Sequence, residues 1–457
     1  MSDNASGQTE AAAPAPRAGR TGTLYLVGLD GLSPAVIAEL TALGDLPNLR
    51  RIAEQGCHGD LATLFPTESP IIWSTIATGR LPDGHGVDGF QHFTLFGRRI
   101  STKTFHRLKH LGLKRPLRLL ERMGLFHRRL LDMRDLKAKR LWEIIGDGGG
   151  RVGVVNWWNS WPAVPINGFL VSSRLHYWRA MAFGQMTDAS RVIWPPRLLK
   201  ELGGLIIPPD HVTLEELQRF VNLPEEKLGK FIDAKFVHHQ LRGELKFLIS
   251  ADRTYSQLMD GCLERFPDLT FAALYLRGPD IAQHCAFDYM PSATHSERSP
   301  EERSRFGQVV PQAYRQADEM LGRVMARMKP SDTLLTMSDH GFGWMEKRGK
   351  YGHARGNPPG VLYCIGPEFK AGARIENAGV CDIAPTVLRL CGLPAAQDMP
   401  GRCLEELLTP EFRAARPPLP RIPTYGPPPP DSGAPDGGES AVAEGVADHL
   451  RALGYID

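Results

Sequence analysis

The sequence lacks three features that would assign it to a specialised class of protein. No stretch approaches the ~18 to 20 consecutive apolar residues that cross a bilayer, so no transmembrane helix is predicted. The 54 Lys and Arg residues nearly balance the 51 Asp and Glu residues, and a net charge of +3 is too small to favour nucleic acid as a partner of the whole chain. Seven cysteines, odd in number and without CxxC spacing, argue against a disulfide framework.

The first 21 residues are rich in Ala, Pro, Ser and Gly and contain no apolar core of the kind that signal peptides have. This composition predicts a disordered tail at residues 1–21. Together with the scattered cysteines, which we expect to be reduced thiols, it favours a cytoplasmic location.

Changes in composition along the chain predict its organisation. A catalytic core is expected from residues 22–97 and 245–410, with 141–175 belonging to it. Residues 98–140 and 176–244 are predicted to form a helical cap inserted into that core. The Pro/Gly-rich residues 411–440 are typical of an extended linker. Residues 441–457 are predicted to form a helix that docks on the body or on a second subunit of a homo-oligomer.

Three short apolar runs each lead to an acidic residue. Residues 23–29 end at Asp30, residues 269–276 are followed by Asp280, and residues 333–337 are followed by Asp339. Apolar runs of this length are typical of buried parallel strands, whose carboxyl ends meet at one edge of the sheet. The sequence therefore predicts an α/β fold with a mostly parallel central sheet, helices on both faces and a site at this edge.

The stretch from Phe65 to Gly79 combines a turn with a short apolar helix. Pro70 suits the first position of a helix, which places Ser69 at the N-cap beside the free N–H groups of the first turn. That position suits a nucleophile or a bound phosphate, because a helix N-terminus favours negative charge. The alternative is that Ser69 only caps the helix.

Five motifs occur together in the order that one known family shows. They are Asp30-Gly31, the Pro-Thr-x-Ser turn ending at Ser69, Asp280 with His284, Ser338-Asp339-His340-Gly341, and a late Gly-His at His353. With this set the sequence resembles the alkaline phosphatase superfamily, and within it the type I phosphodiesterase/nucleotide pyrophosphatase branch. The resemblance extends over residues 22–405.

The resemblance implies a two-metal phosphoester hydrolase that works through a phosphoseryl intermediate on a small anionic substrate. In the family pattern, one ion is held by Asp280, His284 and His353. The other is held by Asp30, Asp339, His340 and the oxygen of Ser69. Mixed Asp and His ligands suit Zn²⁺ well and Mn²⁺ acceptably.

Two departures from the family pattern affect the site. The family has an Asn three residues after the nucleophile, and Ile72 stands there in this chain. We expect backbone N–H groups, Asn156 or Arg355 to replace it. The tryptophans at 157, 158 and 161 either line the substrate pocket, with Trp157 as the candidate residue, or belong to the core. Pro70 also follows Ser69 directly, which leaves Thr67 as a second candidate nucleophile.

Residues 98–140 carry fifteen Lys and Arg residues against three acidic ones, with apolar residues at helical spacing between them. A solvated face or one that steers an anionic substrate is the first interpretation. Docking on an acidic partner or a membrane surface comes next, and nucleic acid last.

The sequence leaves the reaction open between several classes. A phosphomonoesterase or a phosphoglycerate mutase-like phosphotransferase would use a similar ligand set. A sulfatase is disfavoured, because the residues around Ser69 lack the Cys/Ser-x-Pro-x-Arg signature. The non-enzymatic alternative is a docking adaptor with a vestigial site.

Overall fold

A nine-stranded sheet forms the centre of the computed structural model, which describes residues 18–176, 191–234, 240–353 and 358–428. The strands of the described chain are β1 Leu24–Leu29, β2 Cys57–Ala62, β3 Gln91–Leu95, β4 Arg98–Ile100, β5 Phe126–Leu130, β6 Val152–Val155, β7 Gly168–Val171, β8 Ile193–Trp194, β9 Phe271–Leu276, β10 Thr333–Met337, β11 Gly343–Met345, β12 Lys350–Gly352, β13 Gly360–Ile365 and β14 Ala373–Gly379.

The central sheet has the order β14-β2-β13-β10-β1-β9-β6-β7-β8. Strand β1 lies between β10 and β9 and is parallel to both. Only β13 and β8 run antiparallel to their neighbours. The predicted mostly parallel α/β fold is therefore confirmed, and the apolar run at 24–29 is the middle strand of the nine.

Helices cover both faces of this sheet. Alternate residues of β1 belong to two separate apolar cores: Tyr25 and Val27 pack into one, and Leu24 and Leu26 into the other. The helices are α1 Pro34–Ala42, α2 Pro47–Gln55, α3 Ser69–Thr78, α4 Pro82–His85, α5 Thr102–His110, α6 Lys114–Arg122, α7 Leu141–Asp147, α8 Arg197–Leu202, α9 Leu214–Gln218, α10 Glu225–Ile232, α11 Leu241–Arg265, α12 Gly278–Ala286, α13 Pro300–Phe306, α14 Val309–Arg327, α15 Ile383–Leu390 and α16 Pro410–Ala415. No helix in these described ranges is both long and apolar enough to cross a membrane.

The segment predicted as the first part of a helical cap contains helices α5 and α6, and also strands. Strands β4, β3 and β5 form a separate antiparallel sheet that begins at Gln91. Phe93, Phe105, Leu117 and Phe126 join this sheet to the two helices in a small core. Arg128 and Arg129 of β5 break the alternation of apolar and polar residues that is typical of a strand. The sequence therefore predicted only helices in this segment.

The second segment, 176–244, extends the core as well as covering it. Strand β8 pairs with β7 and becomes an edge of the central sheet. Helices α9 and α10 pack against the long helix α11. Residues 177–190 and 235–239 of this segment lie outside the described ranges.

The chain ends that are described pack on the body. Arg20, from the predicted tail, is buried and pairs with Glu368 at 2.6 Å. Arg421, from the predicted linker, donates to the carbonyl oxygens of Ala396 and Met399. Residues 1–17 and the predicted C-terminal helix at 441–457 lie outside the described ranges.

Candidate functional site

Asp30 and Asp339 are buried at the carboxyl ends of the neighbouring strands β1 and β10. His340 brings its Nε2 to 3.5 Å from Asp30 Oδ1 and to 3.5 Å from Asp339 Oδ2. The ligand atoms of the three residues all lie within 4.8 Å of one another. The edge of the sheet thus holds two carboxylates and an imidazole in the arrangement that a metal ion requires.

Asp30 Oδ1, Asp339 Oδ2 and His340 Nε2 are buried and have no hydrogen-bond partner among the residues described. Orphaned polar atoms are costly in a protein interior. Burial, reinforced by the charges of Asp30 and Asp280, raises the pKa of Asp339 well above its usual range. Burial also lowers the pKa of His340 and favours the neutral imidazole that binds metals. A divalent cation would satisfy all three atoms, so the residues fit one.

Helix α12 supplies the acidic residue of a second group. Asp280 and His284 lie one turn apart, with Asp280 Oδ1 3.5 Å from His284 Nε2. The ring of His353 stacks on that of His340 at 4.1 Å and lies 5.2 Å from that of His284. Ligand atoms of Asp280, His340 and His353 fall within 4.8 Å, and His284 borders this group. The two groups share His340 and are therefore adjacent.

A glycine lets strand β1 and helix α12 approach closely. Gly31 has φ +72°, and a Cβ added there would be 2.7 Å from the Cβ of Asp280. Tyr275 of β9 supports the same corner, because its hydroxyl donates to Asp30 Oδ2. Burial and the charge of Asp30 raise the pKa of Tyr275, which keeps the hydroxyl a donor.

Ser69 is the first residue of α3, and Glu68 takes the N-cap position, one residue earlier than predicted. Ser69 is buried, and its Oγ makes no hydrogen bond to the described residues. Thr67, two residues before it, places its Oγ1 3.2 Å from His353 Nδ1. Both candidate nucleophiles thus lie in the same turn, and Thr67 contacts a residue of the second group.

Trp73 fixes helix α3 against strand β1. Its ring lies over Gly28, where an added Cβ would be 2.5 Å from Trp73 Cζ3. Its backbone oxygen accepts a hydrogen bond from Trp157 Nε1 at 3.2 Å. The start of α3, with Ser69, is therefore tied to the strand that ends at Asp30.

An open cleft adjoins the second group. Thr67, Glu68, His284 and His353 line it on the side of the site. Arg348 and Lys350 of the β11–β12 hairpin and His106 of α5 line it elsewhere. Asp288 lines it too, and Arg348 and Lys350 are the cations that can attract an anionic substrate.

A second and narrower cavity lies beside Pro70 at the ends of β6, β7 and β9. Asn156 lines it, and its amide donates to the Tyr275 carbonyl at 2.8 Å. Trp158 and Trp161 line it too, whereas Trp157 is fully buried against Trp73 and Trp142. The predicted residue Arg355 lies outside the described ranges.

A sequence model of the family "Type I phosphodiesterase / nucleotide pyrophosphatase" matches residues 24–353, more than two thirds of the chain. The chain belongs to this family. The matched range includes every metal ligand and nucleophile that the resemblance implied, from Asp30 to His353. This family is one of phosphoester hydrolases in the alkaline phosphatase superfamily, so both the predicted superfamily and the predicted branch are confirmed.

Two solved structures are similar to this chain. The solved alkaline phosphatase PafA, in a mutant form, superposes with a TM-score of 0.54 at 11% identity, over 87% of this chain and 100% of that one. At that identity the likeness shows the fold alone. A murine ectonucleotide pyrophosphatase/phosphodiesterase 5 covers 85% of this chain and 100% of its own, at 13% identity and a TM-score of 0.45.

A further relative matches only a short part of this chain. A 2,3-bisphosphoglycerate-independent phosphoglycerate mutase of Roseobacter denitrificans is 31% identical over 102 residues. Those residues are 21% of this chain and 20% of the mutase, so the chain spans about a fifth of that relative's length.

Several residues of the site region were not found from sequence. Tyr275 reaches Asp30 through the pairing of β1 with β9, which apolar runs do not specify. Arg348, Lys350 and His106 reach the cleft from distant segments. The Gly-rich hairpin around Arg348 was the only local signal that could have pointed to a loop beside the site.

Proposed function

We propose that this protein is a two-metal phosphoester hydrolase that acts through a phosphoseryl intermediate. The proposal rests on the two adjacent Asp/His groups at the ends of β1 and β10. Three of their metal-ligand atoms are buried and have no hydrogen-bond partner among the described residues. Family membership supports the reaction class.

Asp30, Asp339 and His340 would hold one ion together with the Ser69 oxygen. Asp280, His284 and His353 would hold the other, and the geometry adds His340 as a neighbour of both. Zn²⁺ suits these oxygen and nitrogen ligands best, and Mn²⁺ is the alternative. When bound, such ions neutralise phosphoryl oxygens and lower the pKa of a coordinated hydroxyl.

Ser69 is proposed to attack phosphorus. Its proton leaves to solvent, its Oγ–P bond forms, and the ester P–O bond breaks to release the alcohol or phosphate leaving group. Water then attacks phosphorus, the Oγ–P bond breaks, and the serine regains a proton. At the start of α3, the amides of Glu68, Ile71 and Ile72 already donate to carbonyl oxygens, which leaves the N–H of Ser69 to face the developing negative charge.

The cleft and the cavity define the proposed substrate as a small anionic phosphoester. Arg348 and Lys350 attract its charge, and the cavity beside Pro70 receives the organic group against Trp158 and Asn156.

The chain contains seven cysteines in no disulfide, which supports the proposed cytoplasmic location.

A phosphotransferase is the second candidate, favoured by the local identity to a phosphoglycerate mutase. In this site, a phosphomonoesterase and a diesterase would differ only in the part of the substrate that the cavity beside Pro70 binds. The vestigial adaptor is disfavoured, because the six Asp and His residues predicted as metal ligands lie in two adjacent groups.

Chromogenic mono- and diesters of phosphate, assayed with added Zn²⁺ or Mn²⁺, test the reaction class. We expect turnover of at least one ester that depends on the ion. Interconversion of 2- and 3-phosphoglycerate without ester hydrolysis would replace the hydrolase by the transferase.

Mass spectrometry of acid-quenched enzyme after incubation with substrate tests the nucleophile. Phosphate is expected on Ser69, and Ser69→Ala should lower kcat by ~10³-fold or more, equivalent to about 4 kcal/mol. Thr67→Ala should cost far less. Phosphate on Thr67 would transfer the role to the threonine that contacts His353.

A further inference from the structure

The insertion at residues 96–130, which we name the basic cap, has a one-sided charge. It contains eleven Lys and Arg residues and a single acidic residue, Glu121. Seven of these cations are exposed and form no ion pair with a described residue: Arg98, Lys103, Arg107, Lys114, Arg115, Arg118 and Arg122. A face that served only solubility would mix both signs, as most protein surfaces do.

The basic cap also holds most of the exposed apolar side chains. Of nine large hydrophobic residues exposed in the described chain, five lie here: Phe96, Leu111, Leu113, Leu119 and Met123, with exposures of 62%, 74%, 37%, 58% and 60%. Leu119 on α6 and Met123, which caps the C-terminus of that helix, lie one turn apart, and the N–H of Phe96 donates to the Leu125 carbonyl at 2.8 Å. Clustered exposed apolar residues mark an interaction site.

A groove opens between α5, α6 and β5. Its apolar lining includes Phe105, Leu117 and Phe126, and the rings of Phe105 and Phe126 are 5.8 Å apart. Four cations line it as well, Lys109, Lys114, Arg118 and Arg128, and Arg128 is paired within the groove with Glu121 at 2.9 Å. Burial, Lys114 and Arg128 lower the pKa of Lys109, a sign that positive charge is concentrated here. An anion entering the groove would relieve that repulsion.

The pairing of cations with aliphatic side chains decides what the surface fits. Nucleic acid would use the cations but not Leu111, Leu119 or Met123, because bases stack on aromatic rings. A groove for a partner helix would be concave, whereas Leu111 and Leu113 stand on the turn that joins α5 to α6. An anionic bilayer matches both features, with headgroup phosphates for the cations and an acyl boundary for the apolar residues.

We propose that the basic cap docks this protein peripherally on an anionic phospholipid surface. The groove receives a headgroup phosphate, and the apolar side chains of α6 and of the α5–α6 turn enter the headgroup–acyl boundary. Docking here does not depend on the proposed reaction. It also brings the cleft close to the surface, because His106 of α5 lines that cleft.

Co-sedimentation with two kinds of vesicle tests the proposal: phosphatidylcholine alone, and equal parts of phosphatidylcholine and phosphatidylserine. The full chain should sediment with the second kind and not with the first. Lys114→Glu with Arg118→Glu should weaken binding at least ~10-fold, because each cation near such a surface contributes about fivefold. Leu119→Ser with Met123→Ser should weaken it by a similar factor.

Matched controls carry the same changes elsewhere. Lys200→Glu with Lys227→Glu reverses two exposed cations, and Leu43→Ser with Leu419→Ser removes two exposed leucines. Both controls should bind like wild type, and circular dichroism should show all variants folded. Equal binding to both vesicles, wild-type binding by either cap variant, or binding of RNA or polyglutamate without vesicle binding would overturn the proposal.

Discussion

Replacing Gly28 by Ala should disable the site through helix α3 without touching a ligand. The new Cβ would lie 2.5 Å from Trp73 Cζ3 and 2.6 Å from its Cη2. Non-bonded carbons rest at ~3.5 to 4.0 Å, so the indole must retreat by about 1 Å. Trp73 is fully buried between Trp157 and Tyr275, and has no open space to move into.

We expect this strain to lower both the free energy of unfolding and kcat. Overpacking of this kind costs ~1 to 3 kcal/mol of unfolding free energy. A shift of about 1 Å at the start of α3 would displace Ser69 from Asp30, and such misplacement lowers kcat by ~10²-fold. Chemical denaturation gives the first quantity, and turnover of a chromogenic ester at saturating metal ion gives the second.

Two variants make this experiment decisive. Gly229→Ala in α10 adds the same methyl group where no atom lies within 4 Å, and should lower neither the free energy of unfolding nor kcat. Gly28→Ala combined with Trp73→Phe removes the clashing ring atoms and should recover part of the lost kcat. Wild-type stability and kcat in Gly28→Ala alone would show that the contact between β1 and α3 does not position the nucleophile.

Three further predictions follow from single contacts. Tyr275→Phe removes the hydroxyl that donates to Asp30, and should weaken metal binding ~10- to 100-fold in a chelator competition while the melting temperature changes little. Burial lowers the pKa of His85 from 6.5 to about 3, so its neutral form stabilises the fold fully above pH 6.5 and less as the pH falls towards 3. The share lost by pH 5 is ~2 kcal/mol, and denaturation of His85→Gln should show a correspondingly flatter pH dependence. Arg20→Met removes the cation paired with Glu368, leaves only the Thr333 hydroxyl, among the described residues, donating to that carboxylate, and should cost ~3 to 5 kcal/mol of stability, which a shift of less than ~1 kcal/mol would contradict.

The sheet and its acidic edge were predictable because local chemistry specifies them. Strands buried on both faces need continuous apolar runs, and the residue after such a run must lie at the sheet edge, as Asp30 does. Asp280 and His284 were predictable as a pair, since their spacing of four places them on one helical face.

What sequence did not predict depends on contacts between distant segments. The register of β1 against β9 brings Tyr275 to Asp30, and helix packing brings Trp73 onto Gly28. Of the tryptophans after β6, Trp157 points into the core and Trp158 into the cavity, and an irregular loop has no periodicity that would distinguish them.

Metal content measured on the purified protein tests the central claim most directly. After removal of all ions and reloading with Zn²⁺, the wild-type chain should retain about two ions, as a two-metal site requires. Asp339→Asn should retain about one, with the fold intact by circular dichroism, because Asp339 belongs to one of the two ligand groups only. A wild-type chain that retains no ion, or a variant with unchanged metal content and turnover, would contradict the account.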